Sequence, residues 1–326
     1  MSVSLMLSGN GDLPPNHVAS VASTAEARGF SGVWFGETTL RDASVLATLA
    51  TLNTEKIEIG TSIVNVFSRS ASQLALLAST LNESSRGRFT LGLGVSTAAI
   101  VENWHGLAFT HPTQRLEETV ILLRRYFSGE KFTFAGKFAS PKNARMRIGM
   151  PPKIALAALN DGMVKKAASL ADRVILNLYP TTRIKHARSL IENEIQRSHK
   201  TKPPPNLSVM LYADVLGDGE EGIDAGRELI SFYASSPAYS NLFSTIGFKD
   251  EANAMQEAWK RKDKDSVKKN VARRMIDELM VIGGMSELGE RVMSYHENGV
   301  DDVFICPSPF RRYEENVTEI LKFYIQ

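Results

Sequence analysis

The feature that most constrains the fold of this chain is a regular alternation between short apolar runs and longer stretches of helical periodicity. Eight runs are predicted as strands, at residues 3–7, 32–36, 57–63, 88–94, 153–158, 173–178, 207–215 and 302–306. Strands that alternate with helices form a parallel sheet covered by helices. Eight such units favour one closed barrel over a doubly wound sheet. The predicted fold is therefore an α/β structure of the (β/α)8 TIM-barrel type.

Two segments interrupt this alternation. Residues 128–152 combine alternating aromatic side chains with a late proline pair, which predicts an irregular or hairpin excursion. Residues 217–284 show helical patterns without an obvious strand, which predicts a helical insertion after the seventh strand. We therefore expect a single domain, 1–326, with insertions at these two places.

Composition limits the classes of partner. The chain of 326 residues has a net charge of +2, which is too small to indicate nucleic acid or a membrane surface as the main partner. Cys306 is the single cysteine, so an internal disulfide is excluded. No apolar run approaches the roughly 20 residues that span a bilayer, and the first residues lack the pattern of a signal peptide. We expect a cytoplasmic protein that acts on a small-molecule substrate.

The run that ends at Gly94 is the first candidate for a site. Its apolar residues alternate with Gly92 and Gly94 and then give way to small polar residues. Ligands of parallel α/β folds bind beyond the carboxyl ends of the strands, and glycine allows a ligand to approach the backbone closely. The alternative is that the two glycines only relieve crowding inside a barrel.

Glu37 is the second candidate, because it follows an otherwise apolar strand. A carboxylate at a barrel mouth can act as an acid or a base when burial raises its pKa. The alternative is a structural ion pair, either Glu37 with Arg41 or Arg41 with Asp42. The sequence leaves both open.

Several other classes of site lack their landmarks. The six histidines never pair at i, i+4, and the pair Glu102 and His105 has no second copy, so no metal site is expected. No G-x-S-x-G elbow indicates a hydrolase, and the glycines near Gly94 lack the rest of a dinucleotide fingerprint. The basic stretch 260–274 is either a solvated helix face or a clamp for a polyanionic tail.

An ordered set of short segments resembles the bacterial luciferase-like superfamily. Within it, the set is most similar to the oxidoreductases that depend on the deazaflavin coenzyme F420, such as methylenetetrahydromethanopterin reductase. The matching segments are 32–37 with Arg41 and Asp42, 60–65 with Arg69, 87–94, 115–118 running to 129–130, 157–163 with 171–172, Tyr233 with 237–239 and 247–248, and 281–283 before 299–301.

The resemblance implies a cofactor and residues that bind it. The deazaflavin ring is expected against the end of the third strand, and the phosphate-bearing tail against the start of the helix after the fifth. The implied cofactor-binding residues are Thr38, Ser62, Ile63, Val64, Asn65, Gly94, Ser96, Asn103, Ala158, Leu159, Asn160, Asp161 and Gly162. Glu37 and His105 are the candidates for the catalytic group that handles a proton.

The resemblance also predicts details of structure and assembly. It implies a cis peptide bond between Ser62 and Ile63, with Ile63 against one face of the ring, and it implies a homodimer. One departure concerns the tail, since residues 160–162 are Asn-Asp-Gly where relatives usually have Gly-Pro-Lys.

The expected activity is hydride transfer between F420 and a small organic substrate. The alternatives are a monooxygenase that uses flavin mononucleotide (FMN), or a flavin-binding paralogue without catalysis. A fourth reading, a lyase for a phosphorylated substrate, would need a lysine or metal site that the sequence does not offer.

Overall fold

The computed structural model describes residues 1–197, 203–217 and 219–323. Within these residues, eight parallel strands close into a barrel, because the last strand pairs with both the first strand and β8. The strands are β1 (Ser2–Leu7), β2 (Gly32–Phe35), β3 (Glu58–Thr61), β4 (Val64–Asn65), β5 (Phe89–Gly94), β6 (Lys153–Ala158), β7 (Arg173–Asn177), β8 (Asn206–Asp214), β9 (Met280–Ile282) and β10 (Asp302–Pro307). The short strand β4 continues the third barrel strand and pairs with β5, and the short strand β9 pairs with the end of β8, so neither is counted among the eight.

Helices surround the barrel and bury their apolar faces against the strands. They are α1 (Pro15–Ala27), α2 (Ala43–Leu52), α3 (Ala71–Ser84), a π-helix (Ala99–Trp104), α4 (Pro112–Phe127), α5 (Asp161–Leu170), a 3₁₀ turn (Thr181–Arg183), α6 (Ile184–Arg197), α7 (Glu220–Ala234), α8 (Pro237–Thr245), α9 (Lys249–Lys260), α10 (Lys264–Lys269), α11 (Arg273–Leu279), α12 (Met285–Glu297) and α13 (Tyr313–Ile320). None of the helices in the described residues is long and apolar enough to cross a bilayer.

The predicted barrel and its eight strands are confirmed, with two corrections. The third strand was expected to run without a break over 57–63, but it stops after Thr61 and resumes as β4. The insertion was expected to lack a strand, but it ends in β9, which pairs with the last residues of β8. Three residues are too few to display a strand periodicity. Asp218, within the predicted insertion, lies outside the described residues.

A buried charged network closes the barrel at the amino-terminal ends of the strands. The Arg173 guanidinium donates hydrogen bonds to Glu58 (2.7 Å), Asp302 (3.0 Å) and Ser208 (2.8 Å). It also lies 5.1 Å from the centre of the Trp34 ring, a distance that allows a cation–π contact. Burial raises the pKa of Asp302, and the positive charge of Arg173 opposes that rise. One arginine therefore compensates two acidic groups inside the barrel.

Trp34 fills the barrel interior above this network. Its ring stacks on Phe304 with the centroids 4.5 Å apart. A Cβ atom on Gly60 would lie 2.3 Å from the Trp34 Cε3 atom, so the neighbouring strand has room only for glycine there. Because this layer is filled, a ligand of the barrel mouth has to bind above it.

Replacing Arg173 tests the role of the charged network. We expect Arg173→Ala to lower the free energy of unfolding by about 3–5 kcal/mol, because it leaves the buried Asp302 and the half-buried Glu58 without their cation. The exposed pair of Lys260 and Glu257 provides the control, and Lys260→Ala should cost less than about 1 kcal/mol. Urea denaturation measures both, and equal losses for the two variants would contradict the assigned role.

Candidate functional site

The break between β3 and β4 shapes the centre of the barrel mouth. The peptide bond between Ser62 and Ile63 is cis, as the resemblance implied. Thr61 holds the break against β5, because its hydroxyl donates to the Gly92 carbonyl and accepts from the Gly92 N–H, each at 2.9 Å. The Ile63 side chain is half-buried and packs directly over Gly94. The third strand thus presents an isoleucine at the mouth.

The two glycines of β5 are explained by this close packing. A Cβ atom on Gly92 would lie 1.7 Å from the Thr61 carbonyl oxygen, and one on Gly94 would lie 2.8 Å from Ile63 Cγ1. The structure therefore supports relief of crowding as the reason for both glycines. A ligand close to Gly92 is not needed to explain why this residue is a glycine. Gly94 contributes to the mouth by supporting Ile63.

Glu37 is held by Arg69. The two guanidinium nitrogens of Arg69 donate to the two carboxylate oxygens of Glu37 at 2.6 and 2.8 Å, and Arg69 also donates to Asp42 at 2.8 Å. The backbone N–H of Ala43 donates to Glu37 at 3.2 Å. The hydrogen bonds to Glu37 raise the pKa of Arg69. The carboxylate is thus paired and bound at the start of α2.

A structural ion pair was the alternative interpretation of Glu37, and the structure shows such a pair with Arg69 in place of Arg41. Arg41 forms an ion pair with neither Glu37 nor Asp42. It donates instead to Asp12 at 3.0 Å. Although burial opposes it, hydrogen bonds from Ser44 and the charge of Arg69 lower the pKa of Asp42. Arg69 is the functional candidate that sequence reasoning did not select, although it lies in one of the matching segments.

His105 lies over the end of β4, at the end of the π-helix (Ala99–Trp104). Its Nε2 atom is 3.4 Å from the Asn65 Nδ2 atom. The Asn65 oxygen accepts from the N–H groups of Phe67 and Ser68, each at 2.9 Å, and these bonds fix the orientation of the amide. The amide nitrogen therefore faces His105, which makes His105 Nε2 the acceptor and places the proton of a neutral ring on Nδ1. His105 is half-buried at the mouth.

The other predicted residues near the ring occupy different positions. The Thr38 hydroxyl donates to the Gly9 carbonyl, 2.6 Å away, and lies 2.9 Å from the Asn10 side chain, so it ties two mouth loops together. Ser96 has a positive φ of 60° and is half-buried, whereas Asn103 is exposed on the π-helix. The side chains of Val64 and Asn65 are buried, so they support the mouth from below.

The predicted tail segment, Ala158–Gly162, runs from the last residue of β6 into the first turn of α5. Asn160 caps the helix, because its side-chain oxygen accepts from the Met163 N–H at 3.0 Å. Asp161 follows and lies 2.8 Å from the Nε2 atom of His186. An acidic side chain in the first turn opposes an anionic ligand, so a cation has to offset it.

Arg183, which follows the neighbouring strand β7, is a candidate for that cation. Its side chain bonds the Tyr179 hydroxyl, and the charge of Asp161 also acts on that hydroxyl. Burial raises the pKa of Tyr179, and Arg183 opposes that rise. The Arg183 Nε atom is buried without a hydrogen-bond partner among the described residues.

A group of hydroxyls on the far side of the mouth was not predicted. We call Asn177, Tyr212, Tyr233 and Tyr239 the tyrosine cluster. The Asn177 amide nitrogen donates to the Tyr239 hydroxyl at 2.7 Å, and the hydroxyls of Tyr212 and Tyr233 share a hydrogen bond. Burial raises the pKa of Tyr233 to about 12, and it raises the pKa of Tyr212 and Tyr239 well above the ordinary tyrosine value. Tyr233 and Tyr239 lie in matching segments, but the residues come from four separate elements, so no local sequence pattern indicates that they form a cluster.

The basic stretch 260–274 behaves as a solvated surface. Its side chains pair with acidic residues of the insertion at Glu257–Lys260, Asp224–Lys268, Glu228–Lys268, Asp277–Arg273 and Glu278–Arg274. Cations that are already paired are poor candidates for a clamp on a polyanion, so these contacts favour the solvated reading.

A cavity of about 770 Å³ lies at the opposite end of the barrel. Its lining includes Thr90, Lys153 and Arg173, which belong to the amino-terminal halves of their strands. Active sites of this fold lie at the carboxyl ends of the strands, and Arg173 is already committed to the buried network. The mouth is therefore the better candidate site.

Comparison with known proteins identifies the family. The family model described as luciferase-like monooxygenase matches residues 3–302. The chain belongs to the luciferase-like family.

Three proteins illustrate what the chain is similar to. A Mycobacterium tuberculosis protein named as a coenzyme F420-dependent oxidoreductase is 22% identical, with 92% of this chain and 93% of the relative covered. The 5,10-methylenetetrahydromethanopterin reductase of Archaeoglobus fulgidus is 26% identical, with 87% of each chain covered. The solved structure of the coenzyme F420-dependent tetrahydromethanopterin reductase of Methanopyrus kandleri superposes with a TM-score of 0.82 at 20% identity, covering 99% of this chain and 97% of that one. The predicted luciferase-like family and barrel are confirmed.

Proposed function

We propose that this member of the luciferase-like family is an F420-dependent oxidoreductase that transfers a hydride to or from a small organic substrate. The observation that carries the proposal is the position of Ile63, whose half-buried side chain packs over Gly94 of β5 at the barrel mouth. The names of the relatives supply the coenzyme, since both the curated oxidoreductases and the structural neighbour depend on F420 or reduce a methanopterin.

The residues at the mouth fit a flat ring with an anionic tail. Ile63 offers an apolar surface to one face of a ring, and Ser62, Gly94 and Ser96 border it. The tail would reach the start of α5 at Asn160 to Gly162, where helix amides favour a phosphate. Arg183, whose buried Nε atom has no partner among the described residues, would supply the cation that the segment itself lacks.

When bound, F420 supplies hydride donation or acceptance at C5 of its deazaflavin ring. The protein has to orient the substrate, exclude water and handle one proton. We assign the proton to His105, because it is half-buried at the mouth and its Nε2 atom is held by Asn65. Glu37 then acts with Arg69 and Asp42 as a charged cluster that fixes the loop beside the ring.

The assembly we propose is a homodimer through α2, α3 and α4. These neighbouring helices carry exposed apolar side chains at Val45, Leu52, Leu76 and Ile121. Exposed apolar patches of this kind are typical of protein interfaces. We also retain the prediction of a cytoplasmic location.

A titration distinguishes the proposed coenzyme from its alternative. We expect purified protein to bind F420 at least about tenfold more tightly than FMN, because F420 is the coenzyme named for the Mycobacterium tuberculosis relative and for the Methanopyrus kandleri structure. Quenching of intrinsic fluorescence measures both affinities. Tighter binding of FMN, with oxygen consumption when a reductant is added, would identify a monooxygenase instead. Tight F420 binding without turnover of any substrate would favour a non-catalytic paralogue.

Replacing His105 tests the assignment of the proton. His105→Ala should lower turnover by about 10²–10⁴-fold while the affinity for F420 stays the same, since the imidazole acts on the proton rather than on binding. Added imidazole should restore part of the rate. The control is His17→Ala, because His17 pairs with Glu314 on the outside of the barrel. Unchanged turnover in His105→Ala would move the proton to another group.

Charged substitutions in the proposed interface test whether the protein is a dimer. Light scattering at micromolar concentration should give twice the chain mass of 35.9 kDa for the wild type. A Leu52→Glu, Leu76→Glu variant should be monomeric, because each carboxylate would have to be desolvated at the interface. Met293→Glu, on the exposed face of α12, should remain dimeric. A monomeric wild type would refute the proposal.

A further inference from the structure

The tyrosine cluster lies across the barrel mouth from Ile63. The order of strands places β8 opposite β3, and β7 lies beside β8. The Ser62 hydroxyl contacts the Met210 sulfur at 3.6 Å, so β3 and β8 meet inside the barrel one layer below the mouth. Tyr212 follows Met210 by two residues on the same face of β8, which raises it by about 7 Å toward the mouth. The cluster therefore borders the space above Ile63.

The hydrogen bonds of the cluster leave one donor unused. The Asn177 amide nitrogen donates to Tyr239 at 2.7 Å and also bonds the Tyr233 hydroxyl. Tyr233 and Tyr212 share one hydrogen bond, and Tyr212 bonds the Cys306 thiol. The Tyr239 oxygen thus accepts, while its own proton has no acceptor among the described residues.

The unused donor persists if the Asn177 amide is turned. In the present orientation the Asn177 oxygen is buried without a partner in the described part of the chain. Turning the amide would let Tyr239 donate to that oxygen, but it would leave the amide NH₂ group without an acceptor. Either way, one donor of this pair lacks a partner among the described residues. A bound acceptor at this place would satisfy that donor and would therefore be favourable.

We propose that the Tyr239 hydroxyl, oriented by Asn177, binds the oxygen atom of the substrate, and that the substrate is an uncharged carbonyl compound or the corresponding alcohol. This inference rests on the proposed function, because it places the substrate oxygen across the mouth from Ile63, where the deazaflavin ring is expected. Tyr239 is half-buried, so it is not sealed inside the cluster.

The surroundings of the cluster favour an uncharged oxygen. The groups that bond one another in the cluster are uncharged: Asn177 bonds Tyr239 and Tyr233, and Tyr212 bonds Tyr233 and the Cys306 thiol. Arg311, which follows β10, donates instead to Asp214 at 3.2 Å and Glu221 at 3.3 Å. A carboxylate or phosphate at Tyr239 would therefore be buried without compensation, at a high cost in free energy.

The rim next to the cluster is apolar. Phe232 and Phe310 are both exposed, and their ring centres are 6.0 Å apart. Phe232 also packs edge-on against Tyr233, with the ring centres 5.3 Å apart. These aromatic side chains would cover the hydrocarbon part of the substrate while Tyr239 binds its oxygen. The expected substrate therefore has an apolar body.

The tyrosine acts as a hydrogen-bond donor that keeps its proton. Burial raises the pKa of Tyr239 well above the usual tyrosine value, so the phenol stays protonated at neutral pH. The bond from Asn177 to the Tyr239 oxygen polarises the hydroxyl and strengthens its donation. Tyr239 would thus polarise a carbonyl group, while the proton of the reaction is handled by His105.

A binding experiment tests the proposal independently of turnover. The probes are cyclohexanone, which has an acceptor oxygen, and methylenecyclohexane, which has a similar shape without one. Ligand-observed nuclear magnetic resonance gives both affinities for the protein alone and for protein saturated with oxidised F420, which cannot reduce the ketone. The variants are Tyr239→Phe and, as a matched control outside the mouth, Tyr126→Phe, whose ring packs on Phe132.

The expected result is a selective loss. Wild type and Tyr126→Phe should prefer the ketone, whereas Tyr239→Phe should bind it about five- to tenfold more weakly and bind methylenecyclohexane as before, the size of one neutral hydrogen bond. Equal ketone affinity in wild type and Tyr239→Phe, or no preference for the ketone in the wild type, would overturn the proposal. If the wild type fails to bind F420, the proposed function is wrong, but the comparison on the protein alone still decides the role of Tyr239.

Turnover provides a second readout. With F420 bound equally by both proteins, Tyr239→Phe should lower kcat/KM for ketone reduction by about 10²-fold or more, as the loss of a donor to a developing oxyanion does. A change of less than about threefold would contradict the proposal, because removal of one neutral hydrogen bond in the ground state alone already costs more.

Discussion

The close approach of the third and fourth barrel strands at Thr61 and Gly92 is the contact on which the barrel mouth depends. The Thr61 hydroxyl bonds both backbone groups of Gly92, and no side chain could occupy that glycine. Immediately afterwards the third strand breaks, so Ile63 leaves the wall of the barrel and packs over Gly94. A side chain that would otherwise be buried between strand and helix becomes part of the ligand-facing surface. The position of His105 follows from the same strand, through Asn65 on β4.

The two ends of the barrel have different roles, one in stability and the other in ligand binding. At the amino-terminal end, Arg173 with Glu58 and Asp302 forms a buried network whose groups are committed to one another. Buried atoms without a hydrogen-bond partner occur at both ends of the described barrel, at Asn177 Oδ1 and Arg183 Nε on the mouth side and at Asp302 Oδ1 and Trp34 Nε1 on the other. Such atoms therefore do not distinguish the two ends. The mouth is favoured because ligands of this fold bind at the carboxyl ends of the strands, whereas Arg173 at the opposite end is committed to holding the barrel closed.

The sequence predicted what repeats locally and missed what meets only in three dimensions. The alternation of strands and helices was sufficient for the barrel, because each unit has its own periodicity. The short strand β9 lacked enough residues to show one. Glu37 was recognised as a candidate, but its partner Arg69 lies 32 residues away on another loop. The tyrosine cluster draws on β7, β8, α7 and α8, so only the closed fold brings it together.

The resemblance to the family predicted features that hydrophobic periodicity could not. The cis bond at Ser62–Ile63 has no signature in hydrophobic pattern or propensity, and it was expected solely because residues 60–65 match the family. The coenzyme rests on the same kind of inference. In contrast, the departure at residues 160–162 could be interpreted only with the structure, in which Asn160 caps α5 and Asp161 lies beside His186.

A crystal structure of the protein grown with F420 tests the central claim most directly. The account predicts that the deazaflavin ring packs against the Ile63 side chain at van der Waals distance, about 4 Å, with the phosphate between Arg183 and the start of α5. A ring bound away from Ile63, for example in the cavity at the amino-terminal end of the barrel, would contradict it.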